Sequence, residues 1–232
     1  MPSVLIVIPT AGFVHPEVKQ AVQNLTFHQR DVHVEICKPI YDHSVEFCRR
    51  ALNATHTRNQ ARLKALKTNH THYLWLDSDV APPPDVIEQL LAMNNDAAGG
   101  WYAVRDGRNI LNGRWVAGEW VDVGVFANYH FPWVLKPDEP DDAPYGSYCR
   151  KRRSDKKVFD PVRSDLAPLG CLLITREVLE LLEFQHGTDI PCKINGIKGE
   201  TVRADCLQYG VQLWEIGVDV YMSSRVLCRH IP

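Results

Sequence analysis

Short apolar runs alternate with segments of helical period over the first third of the chain. Residues 4–8 are a continuous apolar run rich in β-branched side chains, which is typical of a strand buried on both faces of a parallel sheet. Residues 18–27 repeat apolar positions at helical spacing, residues 32–36 alternate, residues 58–67 have the pattern of an amphipathic helix, and residues 73–76 form another apolar strand. This order predicts a doubly wound α/β sheet.

The rest of the chain is less regular. Three prolines and Asp85 predict the start of a helix, because proline and an acidic residue both favour a first helical turn. We find no internal repeat and no linker that separates two domains. The further predictions are short strands and loops over 99–135, a strand at 172–174, a helix at 177–184, a helix at 200–209 ended by Gly210, and closing strands at 218–221 and 226–230.

Composition is that of an ordinary globular protein. Of the 232 residues, 45% are hydrophobic, and 26 basic against 28 acidic residues give a net charge of −2. Such a balance argues against a uniformly basic nucleic-acid coat protein. No apolar stretch approaches the roughly 18 residues of a membrane span. The first strand begins without a basic segment or a small-residue cleavage site, so we expect no signal peptide. Seven cysteines, an odd number with no C-x-x-C spacing, predict reduced thiols and a cytoplasmic location.

Two carboxylates lie where the third apolar strand ends. Asp77 and Asp79 are two residues apart, so on an extended segment both side chains point the same way. Ligands of open parallel sheets bind outside the carboxyl ends of the strands. One or two carboxylates together with phosphate oxygens are the usual ligands of Mg²⁺ or Mn²⁺ that holds a diphosphate. The simpler alternative is that Asp77 caps the next turn and Asp79 is solvated.

The ordered motifs resemble those of the GT-A fold glycosyltransferases, particularly the family-two-like group that uses nucleotide sugars. Asp77-Ser78-Asp79 matches the Asp-x-Asp triplet of that family. The other matching pieces, in chain order, are residues 4–12, 58–61, 99–102 and 169–178. The resemblance implies an α/β fold with one GT-A (Rossmann-like) domain over residues 1–232, in which helices flank a mixed, mostly parallel sheet.

The resemblance also implies a metal site. Asp79 would coordinate Mn²⁺ or Mg²⁺ directly, and Asp77 would contact the ribose or reach the metal through water. His230, on a late strand, matches the histidine that completes this site in related enzymes. Imidazole is a suitable Mn²⁺ ligand beside carboxylates. The alternative for His230 is an exposed histidine near a chain end.

Further positions follow from the same resemblance. Pro9, Thr10 and Arg58 would bind the nucleotide-sugar donor, and Gly170 would allow close backbone approach on the acceptor side. Asp205 matches an aspartate that serves as the catalytic base for the acceptor hydroxyl.

The family usually has a glutamate before the aspartate at the position of the base. Here Ala204 stands in its place, which leaves Glu200 as a second candidate for the base. The alternative for Asp205 is an acid that stabilises the start of a helix.

Opposite charges are concentrated in one aperiodic stretch, predicted to be a long charged loop near residues 137–160. Residues 138–142 carry four acids, and residues 150–157 carry six bases and one acid. The loop is either a solvated segment, a cover for the donor phosphates, or a contact for a polyanionic acceptor such as nucleic acid.

The sequence as a whole predicts a metal-dependent glycosyltransferase that moves a sugar from a nucleoside-diphosphate donor, a UDP-sugar in our interpretation, to a hydroxyl acceptor of unknown identity. Three alternatives stay open. The first is a glycosyltransferase that acts on modified bases of DNA through the basic loop. The second is a nucleotidyltransferase, although residues 9–13 lack the basic residue usual after its first strand. The third is a non-catalytic nucleic-acid-binding protein.

Overall fold

The computed structural model describes residues 1–40, 46–102, 114–116, 119–121, 162–164, 169–185, 187–194, 197–203 and 205–231. The predicted charged loop near 137–160 lies outside these residues.

Five helices and thirteen strands are present in the described residues. The helices are α1 (Pro16–Gln23), α2 (Glu46–Ala65), α3 (Val86–Ala92), α4 (Arg176–Leu181) and α5 (Asp205–Glu215). The strands are β1 (Val4–Thr10), β2 (Arg30–Ile36), β3 (His72–Leu76), β4 (Val80–Ala81), β5 (Ala97–Trp101), β6 (Arg114–Val116), β7 (Glu119–Val121), β8 (Val162–Ser164), β9 (Cys171–Thr175), β10 (Gly187–Ile194), β11 (Ile197–Arg203), β12 (Val220–Leu227) and β13 (Arg229–His230). Among the described helices, none is both long and apolar enough to cross a membrane.

Seven strands form one mixed sheet in the order β2-β1-β3-β9-β5-β12-β8. β1 is parallel to both β2 and β3, and β5 is parallel to β12. β9 runs antiparallel to β3 and β5, and β8 runs antiparallel to β12. Five of the seven strands therefore point the same way, which confirms the predicted α/β class with a mostly parallel sheet.

Alternate residues of the central strands enter two apolar layers on opposite faces of the sheet. Ile6 and Ile8 pack on the face covered by α1 and α3, whereas Val7 and Trp75 pack on the face covered by α2, α4 and α5. Both layers are shielded from solvent at the central strands, since these four side chains are at most 2% exposed. Full burial of each aliphatic side chain contributes roughly 1.5–3 kcal/mol, so the continuous apolar pattern of β1 follows from coverage on both faces.

Most sequence predictions of elements are confirmed, and two are wrong. Residues 197–203 form a strand that pairs with β10, so the helix predicted over 200–209 begins only at Asp205. That helix passes through Gly210 and ends at Glu215. Tyr209 and Leu213 are fully buried on either side of the glycine, and this packing outweighs the cost of about 1 kcal/mol for glycine inside a helix. Likewise, the closing strands predicted at 218–221 and 226–230 are one long strand, β12, followed by the short β13.

Candidate functional site

A pocket of about 360 Å³ opens where β1 and β3 end. Because the two strands are parallel neighbours, their carboxyl ends meet at one edge of the sheet, the usual ligand-binding position in open α/β sheets. The pocket is lined by Pro9, Thr10, Ala11, Cys37, Pro39, Asn53, Ala54, Thr57, Arg58, Asp77, Ser78 and Asp79. Five of the residues predicted to bind donor or metal are therefore brought together: Pro9, Thr10, Arg58, Asp77 and Asp79.

The loop after β1 is shaped by the side chain of Thr10. The Thr10 hydroxyl accepts hydrogen bonds from the backbone N–H groups of Gly12 (3.3 Å) and Phe13 (3.0 Å). Gly12 has φ of +114°, a conformation that favours glycine. Beyond the loop, the His15 backbone N–H donates to the Ser78 carbonyl at 2.9 Å, so this segment also fixes the turn that carries the two aspartates.

Arg58 and Asp77 form an ion pair at the base of the pocket. Nη2 of Arg58 donates to Oδ1 of Asp77 at 2.8 Å. The Arg58 side chain, from the middle of α2, is 10% exposed, and that of Asp77 is 33% exposed. The Asp77 backbone N–H donates to the Gly170 carbonyl at 3.2 Å. The Arg58 guanidinium therefore holds the carboxylate of Asp77, and the hydrogen bond to Gly170 fixes the main chain of the same residue.

The two aspartates do not lie on an extended segment, contrary to the sequence interpretation. Residues 77–80 make a tight turn, which the Val80 backbone N–H closes by donating to the Asp77 carbonyl at 3.1 Å. The turn directs the two carboxylates to different partners, Asp77 to Arg58 and Asp79 to His230. Both still line the same pocket.

Asp79 and His230 meet although they are far apart in sequence. Oδ2 of Asp79 lies 3.5 Å from Nε2 of His230, and the two side chains are 25% and 14% exposed. β13 places the histidine there, because it pairs antiparallel with β4 so that His230 is opposite Val80. The Ile231 backbone N–H also donates to the Asp79 carbonyl at 2.8 Å. The chain segment after β12 therefore packs against Asp79, which lines the pocket.

The donor set fits a divalent cation that is shared with phosphate, and not one enclosed by protein. Over the described residues, no group of three or more His, Cys, Asp and Glu side chains is arranged to hold a metal ion. Asp79 and His230 supply one carboxylate and one imidazole within 3.5 Å of each other. Mg²⁺ typically binds one or two carboxylates plus substrate phosphates, and Mn²⁺ accepts imidazole as well. These two residues fit such an ion.

Gly170 lies beside the pocket, under the ring of Tyr102. The Gly170 N–H donates to Oη of Tyr102 at 3.1 Å, and the Tyr102 ring also meets the His230 ring edge to face, with centroids 6.2 Å apart. The close approach predicted at Gly170 is thus made by an internal side chain. A role for Gly170 toward substrate stays a prediction.

The structure describes only the backbone of the two candidate bases. Asp205 is the first residue of α5, and Glu200 lies on β11 opposite Pro191. Their side chains lie outside the described part, so both assignments stay predictions. Asn59, which belongs to the matching piece 58–61, exchanges two hydrogen bonds with the backbone of Phe184, at 2.7 and 2.9 Å.

Sequence reasoning missed four residues with polar or thiol side chains that line the pocket beside the predicted ones. Ser78 lies between the two aspartates, so its position followed from the triplet itself. Asn53 and Thr57 lie four residues apart on α2, so they share a face of the helix, and this spacing was the available signal. Cys37 follows β2 and had no signal, because its place depends on the parallel pairing of β2 with β1.

Comparisons with known proteins give structural matches only. No protein-family model matches the sequence, and no curated protein matches it. The crystal structure of A197 from STIV is similar with a TM-score of 0.53 and 14% identity, covering 99% of this chain and 86% of that one. The crystal structure of GalNAc-T7 with UDP, GalNAc and Mn²⁺ is similar with a TM-score of 0.56 and 15% identity, covering 100% of this chain and 44% of that one.

These matches show the fold. The chain has an α/β fold of the GT-A type, similar to that of the glycosyltransferase GalNAc-T7, and corresponds to less than half of the length of that protein. They support the GT-A-like fold and not the narrower family-two-like group that the sequence motifs resembled. They do not favour the nucleotidyltransferase or nucleic-acid-binding alternatives.

Proposed function

We propose that the chain is a metal-dependent glycosyltransferase that takes a sugar from a nucleoside-diphosphate donor, a UDP-sugar, and transfers it to a hydroxyl acceptor. The observation that carries this proposal is the pocket at the ends of β1 and β3, whose lining includes the Arg58–Asp77 ion pair and Asp79, the carboxylate that lies 3.5 Å from His230. The proposal treats residues 1–232 as one catalytic domain. The odd number of cysteines, with free thiols at Cys37, Cys171 and Cys228, supports a reducing, cytoplasmic compartment.

We assign different parts of the donor to different residues at the pocket. Asp79 and His230 would hold Mn²⁺ or Mg²⁺, which neutralises the charge of the leaving nucleoside diphosphate. Asp77, kept in place by Arg58, would contact the donor ribose, and Pro9 and Thr10, which line the same pocket, would also bind the donor. The solved neighbour crystallised with UDP, GalNAc and Mn²⁺ supports this choice of donor and metal.

Transfer also requires a base for the acceptor. The acceptor oxygen attacks the anomeric carbon as the bond from that carbon to the diphosphate oxygen breaks, and the hydroxyl proton passes to a carboxylate. We assign that carboxylate to Asp205, with Glu200 as the second candidate. Asp205→Asn is expected to reduce transfer by a factor of about 100 or more while donor binding is retained. A wild-type rate would remove Asp205 from this role.

The function is tested by a screen of nucleotide sugars with Mn²⁺, followed by thermal shift and by release of nucleoside diphosphate. We expect at least one UDP-sugar to raise the melting temperature and to be hydrolysed or transferred. Asp79→Ala should abolish both effects. Asp85→Ala is the matched control, because Asp85 is an exposed aspartate on the next helix start, bonded to Gln89 and outside the pocket lining. If no nucleotide sugar binds or reacts, the proposal is wrong.

A further inference from the structure

Tyr102 lies between Gly170, whose carbonyl is bonded to Asp77, and His230, which contacts Asp79. It follows β5 directly and is 8% exposed. Its hydroxyl oxygen accepts the hydrogen bond from the Gly170 N–H at 3.1 Å, and its ring meets the ring of His230 at 84° with centroids 6.2 Å apart. One buried side chain therefore contacts both the backbone beside Asp77 and the imidazole beside Asp79.

The contact with Gly170 leaves no room for another residue. An ideal Cβ on Gly170 would lie 2.6 Å from Cζ and 2.8 Å from Oη of Tyr102. Such distances are well inside van der Waals contact, so only glycine allows the tyrosine to lie against the backbone at this point. Because the Gly170 carbonyl in turn accepts the Asp77 N–H at 3.2 Å, the tyrosine indirectly supports the start of the aspartate turn.

The contact with Tyr102 is one restraint on the imidazole of His230. β13 is only two residues long, and its backbone pairing with β4 fixes the main chain but not the rotation of the imidazole. An edge-to-face ring contact favours particular relative orientations of the two rings. In the orientation observed, Nε2 of His230 faces Oδ2 of Asp79 at 3.5 Å.

We propose that Tyr102 is a positioning residue, which holds the imidazole of His230 against Asp79 and holds Gly170 against the Asp77 backbone. It sets the geometry of the metal-holding pair without contacting the ion. The inference rests on the proposed function insofar as Asp79 and His230 bind a metal. The orientation of His230 by Tyr102 is independent of that function.

Two substitutions separate the two contacts of Tyr102. Tyr102→Phe keeps the ring beside His230 and removes the hydroxyl acceptor of Gly170. Tyr102→Leu removes both contacts and keeps an apolar side chain. Tyr73→Phe is the matched control for loss of a buried hydroxyl, since Tyr73 is fully buried on β3, bonds to the backbone of His70, and lies outside the pocket lining.

The first measurement is the affinity of the full chain for Mn²⁺ in the presence of UDP, from the electron paramagnetic resonance signal of free Mn²⁺. We expect Tyr102→Leu to weaken it by about 10-fold or more, as is typical when residues that orient metal ligands are replaced. Tyr102→Phe should have a smaller effect, and Tyr73→Phe should match the wild type. Affinity equal to the wild type in Tyr102→Leu would overturn the proposal.

The second measurement needs no metal. Three-bond coupling constants of the metal-free protein report the χ1 rotamer of His230, which we expect to be single in the wild type and in Tyr102→Phe but averaged in Tyr102→Leu. A single rotamer in all three proteins overturns the proposal, even if Mn²⁺ binding is weaker. If the wild type binds no Mn²⁺ with UDP, the proposed function fails. The coupling constants then decide alone whether Tyr102 positions His230.

Discussion

Arg58 and Asp77 form a 2.8 Å ion pair that joins the middle of α2 to the turn after β3. The arginine side chain is 10% exposed and the aspartate side chain 33%, so the pair is only partly screened by solvent. α2 packs on β1 and β2, whereas the turn belongs to β3. The pair therefore couples the helix layer to the edge of the sheet at which the pocket opens.

Arg58→Met is expected to lower the free energy of unfolding by about 1–3 kcal/mol, because it leaves the Asp77 carboxylate without its charged donor. Asp77→Asn should cost less, and the double variant should lose less than the sum of the two single variants. The coupling is expected to be about 0.5–3 kcal/mol, as for residues in direct contact. Urea denaturation of the four proteins measures it. Additive losses would show that the ion pair contributes nothing to stability.

Gly100→Ala is expected to destabilise the protein by overpacking behind the site. A Cβ at this position of β5 would lie 2.6 Å from Cγ1 of Val226, 3.0 Å from Sγ of Cys171 and 3.1 Å from Sγ of Cys228. Extra carbons in a packed core cost roughly 1–3 kcal/mol. Adding Val226→Ala should recover part of this loss relative to Val226→Ala alone. Thermal denaturation gives the comparison, and a stability of Gly100→Ala equal to the wild type would contradict the crowding.

The sheet was predictable from the sequence because its central strands are covered on both faces. Residues 4–8 of β1 and 73–76 of β3 are apolar without interruption, and the order of these strands with α1 and α2 indicates parallel pairing. The hairpin of β10 and β11 was not predictable, since the apolar residues of 197–203 are only Ile197 and Val202, a spacing that fits neither strand alternation nor one helix face. Only the pairing with β10 makes them a strand.

The site was predictable where the triplet itself marks it and not where it depends on long-range pairing. Asp77 and Asp79 follow a buried strand, which placed them at the sheet edge. Their separate partners depend on the turn at 77–80, for which Asp and Ser are a local signal, and on the pairing of β13 with β4, which has none. The resemblance alone pointed to His230. Tyr102 was missed because its contacts reach Gly170 and His230 across the fold.

Glu35 is expected to make the stability pH-dependent at acid pH. Burial alone would raise its pKa, but hydrogen bonds and charge from Lys64 and His33 hold the pKa below the ordinary value of 4.5. Lys64 Nζ lies 2.7 Å and His33 Nε2 lies 2.9 Å from Oε2 of Glu35. A lowered pKa in the folded state means that the stabilisation is present above the unfolded pKa and is lost as the pH falls through the folded pKa.

Glu35→Gln should therefore lower the melting temperature near neutral pH, whereas the curves of variant and wild type should converge as the pH falls below 4.5 and through the lowered pKa of folded Glu35. The measurement is the melting temperature as a function of pH. Lys64→Met is the matched control. It removes the partner whose hydrogen bond does most to lower the pKa of Glu35, so it should reduce the same pH-dependent difference in melting temperature. A constant offset between Glu35→Gln and wild type at all pH values would contradict a lowered pKa.

Alkylation of single cysteines is expected to report occupancy of the pocket. Cys37 is half-buried in the pocket lining, so UDP with Mn²⁺ at ten times its dissociation constant should slow reaction with iodoacetamide by about tenfold. Cys228 should resist in both states, since its hydrogen bond with Cys171 and its burial raise the thiol pKa well above the ordinary value. Peptide mass spectrometry measures each site. Asp79→Ala should abolish the protection, and Cys37 labelling unaffected by nucleotide in the wild type would place the nucleotide elsewhere.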